Sequence, residues 1–89
     1  MAAPIRILVV DDSALTRETL RRTLELDPRL KVVGEAKTGE ESIELVRALA
    51  PDLVTMDLQM PGMGGLKAIE VIMRDRPTPI VVISERSSV

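Results

Sequence analysis

Four short β-prone segments alternate with three amphipathic helical patterns, and this alternation is the strongest constraint on the fold of the chain. The predicted strands are residues 5–10, 31–36, 52–56 and 80–83, and the predicted helices are residues 13–26, 38–50 and 65–75. Strands separated by helices pair in parallel through right-handed crossovers rather than as hairpins. The sequence therefore predicts an α/β fold, a doubly wound parallel sheet in the order β-α-β-α-β-α-β.

The apolar patterns also predict where each element lies. Residues 7–10 are all apolar, which is typical of a central strand buried on both faces, whereas the more polar residues 31–36 suit an edge strand. Helical spacing predicts inward-facing positions on the first and third helices, namely Leu15, Leu20, Leu24, Leu66, Ile69 and either Ile72 or Met73.

Several functions are excluded by residue types that the chain lacks. Its 89 residues include no histidine, cysteine or aromatic residue, so a Ser-His-Asp triad and a thiolate or imidazole metal site are excluded. With a net charge of −2 and no cluster of basic residues, nucleic acid is not the expected partner. The apolar runs are far shorter than the roughly 20 residues of a membrane-spanning helix, so we expect no membrane segment and a cytoplasmic location.

Carboxylates follow two of the predicted strands. Asp11 and Asp12 come directly after the first strand, and Asp57 follows the third. Ligands of doubly wound sheets bind at the carboxyl ends of strands, so neighbouring first and third strands would bring the three carboxylates together. An all-oxygen set of this kind predicts a hard cation, Mg²⁺ or Mn²⁺.

A structural interpretation of the same residues is also open. Asp12 can cap the helix that begins at Ser13, and Asp57 can cap the turn that follows it. Ser84, after the fourth strand, is either an ordinary turn residue or a hydroxyl that reaches a group on Asp57. Convergence of the three aspartates would favour the metal site, because capping does not require it.

The combination of motifs resembles the receiver domain of two-component response regulators. The motifs are VVDDS after the first strand, VTMDLQMPGMGGL across the third and PIVVIS at the fourth, and the resemblance covers essentially the whole chain. The segments IRILVVDDSALTR, VVGEAKTGEESIELV and MRDRPTPIVVIS are most similar to the N-terminal regulatory domain of chemotaxis protein-glutamate methylesterases. The resemblance implies a flavodoxin-like, CheY-like receiver fold.

The resemblance also implies a role for each candidate residue. Asp57 would accept a phosphoryl group from a CheA-like histidine kinase, and Ser84 would be the switch hydroxyl that turns toward it. Asp12 would bind Mg²⁺ directly, Asp11 through a water, and Asp57 and the backbone carbonyl of Gln59 would complete the site.

The resemblance further implies which family features the 89 residues do not contain. We expect residues 1–89 to be a receiver domain that is incomplete at its C-terminus, with the last βα unit and its lysine missing and no catalytic methylesterase domain. Glu85 stands where the family usually has a small residue, and its charge would repel a phosphoryl group. These residues alone are therefore expected to accept phosphate poorly and to be prone to homodimerisation or domain swapping.

The leading hypothesis is a phosphoacceptor regulatory domain that controls a C-terminal chemoreceptor methylesterase and glutaminase in its parent protein. One alternative is an interaction or dimerisation module that is silent to phosphorylation. Another is a Mg²⁺-dependent aspartyl phosphohydrolase, which usually needs an acid two residues after the nucleophile, where this chain has Gln59.

Overall fold

The computed structural model describes residues 2–83. Its elements alternate as the sequence predicts: β1 Ile5–Val10, α1 Ala14–Leu24, β2 Leu30–Ala36, α2 Gly39–Leu49, β3 Leu53–Asp57, α3 Gly64–Asp75 and β4 Ile80–Ile83. All pairings between strands are parallel, and the strand order is β2-β1-β3-β4. The predicted doubly wound α/β fold is confirmed.

The crossovers place the helices on both faces of the sheet. The connection from β1 to β2 runs in one direction along the sheet, and those from β2 to β3 and from β3 to β4 run in the other. Because crossovers are right-handed, α1 lies on one face and α2 and α3 lie on the other. The strand order reverses between β1 and β3, which makes their carboxyl ends the point where such folds bind ligands.

The main core lies between the sheet and the α2/α3 pair. Alternate residues of β1 and β3 face these helices, and the buried cluster is Leu8, Val10, Ala36, Ile43, Val46, Val54, Met56, Met60, Ala68 and Ile72. Ile7 and Val9 of β1 point to the opposite face and are also buried. β1 is thus buried on both faces, which confirms the prediction of a central strand, and β2 is at an edge as expected.

Two leucine positions differ from the helical prediction. Leu15 is 74% exposed and Leu66 is 66% exposed, although both are expected to face inward, and of the alternatives Ile72 and Met73 it is Ile72 that is buried. α1 has no buried residue at all, while the inward face of α3 is formed by Ala68 and Ile72. Periodicity predicts which apolar residues lie on the same side of a helix, but packing against neighbouring elements decides which of them are buried.

The element ends are fixed by hydrogen bonds, some within a turn and some between elements. The first helix ends at Leu24, two residues earlier than predicted, and a turn follows in which the Leu30 N–H donates to the Asp27 carbonyl at 2.9 Å. α2 is capped by Thr38, whose hydroxyl accepts from the Glu41 N–H at 3.0 Å. At its other end, Arg6 Nη1 donates to the carbonyls of Leu49 and Ala50 at 2.8 and 3.0 Å, which ties α2 to β1.

Candidate functional site

Three aspartates meet at the carboxyl edge of β1 and β3. The two strands pair in register, with Val10 opposite Met56, so the residues that follow them lie side by side. Asp11, Asp12 and Asp57 each bring a carboxylate oxygen to within 4.8 Å of the others. The adjacency of β1 and β3, on which the predicted convergence depended, is present.

Asp11 is fixed within the turn between β1 and α1. Only 3% of it is exposed, and its N–H donates to the Ala36 carbonyl at 3.0 Å, which extends the pairing of β1 with β2. Its carboxylate Oδ1 accepts from the Ser13 N–H at 2.8 Å, and its carbonyl oxygen accepts from Arg17 Nη1 at 2.7 Å. Backbone, carbonyl and carboxylate of this residue are therefore all held by hydrogen bonds.

Asp12 is exposed and does not cap α1. The N-cap is Ser13, whose hydroxyl oxygen accepts from the Thr16 N–H at 3.2 Å. The capping interpretation of Asp12 is therefore wrong, because the next residue already fills that position. Helix capping does not explain why a charged side chain stands here beside two other carboxylates.

Asp57 is the last residue of β3 and is half-buried. Its Oδ1 accepts from the Gln59 N–H at 2.9 Å, so the predicted bond to the following turn is present together with the carboxylate cluster. Gln59 is exposed and lines the same cleft as the aspartates. Gln59, whose backbone carbonyl is expected to complete a metal site, therefore lies beside the three aspartates.

The cleft formed by these residues suits a hard cation. It has a volume of about 180 Å³ and is lined by Asp11, Asp12, Ser13, Asp57 and Gln59. This far exceeds the roughly 10–15 Å³ that a single water needs, so the cleft has room for an ion with several waters. Two oxygens on opposite sides of Mg²⁺ lie about 4.2 Å apart, so carboxylates within 4.8 Å of one another need only small movements to bind it. The residues present therefore fit Mg²⁺, or Mn²⁺, which suits the same oxygen donors.

The fourth strand brings the chain toward the same edge. β4 pairs with β3, and Ile83 lies opposite Asp57 in the register. Ser84 follows Ile83 directly, but Ser84 and Glu85 lie outside the described residues. The adjacency of β3 and β4, on which the expectation for Ser84 depended, is present.

Two residues at this site were missed in the sequence. Gly65 of α3 packs against the backbone of Asp57 and Leu58, and Arg17 of α1 binds the Asp11 carbonyl. The glycine lies within a Gly-rich loop motif, which gave a weak signal for close packing, but Arg17 is one of several arginines on α1 and nothing in the pattern distinguished it.

Over the described part of the chain, none of the helices has the length and apolar character that crossing a membrane requires.

Comparison with known proteins agrees with this geometry. The family model of the response regulator receiver domain matches residues 7–89. A protein-glutamate methylesterase/protein-glutamine glutaminase from Carboxydothermus hydrogenoformans is 55% identical over 80 residues, which are 90% of this chain and 23% of that protein. The chain thus spans about a quarter of the length of that relative.

Solved structures show the same fold. The response regulator domain of Thermotoga maritima CheB superposes with a TM-score of 0.89 at 44% identity, covering 91% of this chain and 60% of that one. A Borrelia burgdorferi CheX-CheY complex with BeF₃ and Mg²⁺ has a TM-score of 0.85 at 28% identity, covering 97% of this chain and 66% of that one. Together with the parallel sheet and the aspartates at its switch point, these matches show that the chain belongs to the response regulator receiver domain family.

Proposed function

We propose that Asp57 accepts a phosphoryl group from a histidine kinase, in a site where Asp11, Asp12, Asp57 and the Gln59 carbonyl hold Mg²⁺. The observation that carries this proposal is the convergence of three carboxylates, from two separate strands, in one open cleft. Like charges so close together are unfavourable unless a cation compensates them. The solved CheY complex that contains BeF₃ and Mg²⁺ has the same fold and supports this assignment.

The nucleophile in this proposal is a carboxylate oxygen of Asp57. It attacks the phosphorus of the kinase phosphohistidine, the new O–P bond replaces the P–N bond, and the electron pair of the broken bond leaves with the imidazole nitrogen. The Gln59 N–H, which donates to Oδ1 at 2.9 Å, orients the carboxylate at the end of β3. Bound Mg²⁺ would neutralise the phosphoryl oxygens during this transfer.

We extend the proposal to Ser84 as the hydroxyl that binds the phosphorylated state. The register supports this role, because the residue before it lies opposite Asp57. A hydroxyl that bonds the phosphoryl group in only one of two conformations would shift the equilibrium between them.

The effector proposed for this domain is a chemoreceptor methylesterase and glutaminase in the parent protein. The support is the identity of 55% to a relative that carries these activities in its name. Since the chain corresponds to less than a quarter of that protein, regulation of the effector and the choice of a CheA-like kinase are parts of the proposal.

The proposal is tested by following Asp57 with Mg²⁺ and a small phosphodonor. The protein is incubated with acetyl phosphate, or with beryllofluoride as a phosphoryl analogue, with and without Mg²⁺. We expect one modification per chain by intact mass, mapped to Asp57, and a ¹⁹F resonance for bound beryllofluoride that requires Mg²⁺. The site and the metal dependence of the modification are decisive, rather than its rate.

Asp57→Asn is the matched control, since it keeps the shape of the side chain and removes the nucleophile. It is expected to abolish both signals. Modification elsewhere on the chain, or a wild-type protein that binds Mg²⁺ but takes neither ligand, would contradict the proposal. Steady release of phosphate from many phosphomonoesters would favour the phosphohydrolase instead.

A further inference from the structure

We infer that Arg17 is a positioning residue for the metal site, acting on the turn that carries Asp11 and Asp12. This inference rests on the proposed function, because it concerns the same cation. Arg17 lies in the first turns of α1, and only 16% of its side chain is exposed. It contacts the site through the backbone of Asp11, and its proposed role is indirect.

The guanidinium of Arg17 joins three elements. Nη1 donates to the Asp11 carbonyl at 2.7 Å, at the end of β1, and Nε donates to Glu35 Oε1 of β2 at 3.1 Å. The other Glu35 oxygen lies 3.2 Å from Arg21 Nε, one turn further along α1. Glu35 thus fixes the direction from which Arg17 reaches Asp11. A planar guanidinium with several donors in a rigid fork can make both contacts at once, which an ammonium group cannot reproduce.

The peptide that accepts this bond links the two proposed ligands. The Asp11 carbonyl belongs to the peptide unit between Asp11 and Asp12, so its orientation sets the direction in which Asp12 leaves β1. On the carboxylate side, the Ser13 N–H holds Asp11 Oδ1 at 2.8 Å. Arg17 and Ser13 therefore hold the turn from two sides. Partners of this kind commonly set the affinity of a metal site without binding the metal themselves.

Charge and geometry predict opposite effects when Arg17 is replaced. Removal of a positive charge beside three carboxylates makes the site more negative, so charge alone predicts tighter Mg²⁺ binding. Loss of the contact to Asp11 frees the turn, so positioning predicts weaker binding. The sign of the change in the dissociation constant therefore separates the two effects.

The test measures Mg²⁺ affinity by NMR titration of the metal-free protein and of its variants. Arg17→Gln is expected to raise the dissociation constant roughly tenfold, the lower end of what loss of such a partner costs a metal site. Arg17→Lys, which keeps the charge without the fork, is expected to weaken binding in the same direction and gives a second variant if Arg17→Gln does not fold. Arg21→Gln is the matched control, because it removes one positive charge from the second arginine that pairs with Glu35. It is expected to leave the Mg²⁺ affinity unchanged or slightly higher.

Amide exchange gives a readout that does not involve the metal. In Arg17→Gln, exchange of the Ser13 amide is expected to accelerate, while that of the core residue Val46 stays as in the wild type. Equal acceleration at both positions would indicate a general loss of stability and would overturn the positioning role. A folded Arg17→Gln or Arg17→Lys variant with wild-type or tighter affinity would also overturn it. If the wild-type protein itself binds no Mg²⁺, the proposed function falls, and this inference falls with it.

Discussion

Gly65 lies so close to the end of β3 that a side chain there would collide with the carbonyl oxygen of Asp57. A Cβ on Gly65 would also lie 2.7 Å from Leu58 Cα. Both obstacles are backbone atoms, which cannot rotate out of the way. The start of α3 therefore packs directly on the residue proposed to accept the phosphoryl group.

Gly65→Ala is expected to lower the free energy of unfolding by about 1–3 kcal/mol, as overpacking commonly does. It is also expected to shift the amide resonances of Asp57 and Leu58, because the backbone there must move. Gly34→Ala is the control, since a Cβ there would meet the side-chain ends of Leu49 and Leu8 at 2.8 and 3.3 Å. These side-chain ends can move, so Gly34→Ala is expected to lower the free energy of unfolding less than Gly65→Ala, as measured by denaturant unfolding. Equal losses of stability in the two variants would count against the prediction.

Asp12→Asn should have opposite effects with and without Mg²⁺. In the metal-free protein it removes a charge within 4.8 Å of two others, so the free energy of unfolding is expected to rise by about 1 kcal/mol. In the wild type, Mg²⁺ at ten times its dissociation constant should raise the free energy of unfolding by about 1.4 kcal/mol. The variant should not show this increase.

Thermal unfolding with Mg²⁺ and with EDTA measures both effects of Asp12→Asn. Glu44→Gln, an exposed carboxylate on α2, serves as the charge-matched control and should leave the response to Mg²⁺ intact. A variant whose stability still rises with Mg²⁺ as in the wild type would show that Asp12 is not a ligand.

Thr55→Val is expected to stabilise the protein. The Thr55 hydroxyl is buried, and no hydrogen-bond partner for it lies within residues 2–83. Replacement by a methyl group of similar shape removes this unsatisfied group, with an expected gain of about 1 kcal/mol in urea unfolding. Thr78→Val makes the matched comparison, because the equally buried Thr78 hydroxyl donates to the Arg76 carbonyl at 2.9 Å. Loss of this hydrogen bond should lower the free energy of unfolding. A lower free energy of unfolding in both variants would contradict the prediction for Thr55.

The Asp27–Arg29 pair should make stability depend on pH in the acid range. The hydrogen bonds from Arg29 lower the pKa of Asp27 from 3.8 to about 2. Because the pKa is lower in the folded state, the stabilisation is present above pH 4 and is lost as the pH falls toward 2. The effect on stability is expected to be small, since the pair is exposed to solvent.

NMR titration of the Asp27 carboxyl tests this directly. In Arg29→Gln its pKa is expected to return toward 3.8, and the slope of unfolding free energy between pH 2 and 4 should decrease. Arg22→Gln, which removes an arginine that pairs with Glu18, should leave the Asp27 titration unchanged.

The order of elements, the class of fold and the choice of the three aspartates as site candidates followed from the sequence alone. Apolar runs such as residues 7–10 are typical of a buried central strand, and their alternation with helical patterns makes parallel pairing the economical arrangement. The aspartates were identified because they follow these runs directly, a relationship that is local in the chain.

Tertiary structure alone decided which side chains are covered and which contacts hold the site. Leu15 and Leu66 fit an apolar stripe but are exposed, because burial depends on what packs against a helix and not on its own periodicity. The bond from Arg17 to the Asp11 carbonyl, the anchor at Glu35 and the packing of Gly65 on Asp57 join residues from different elements. Sequence spacing specifies a local turn or helix face, whereas such contacts exist only once the sheet has brought the elements together.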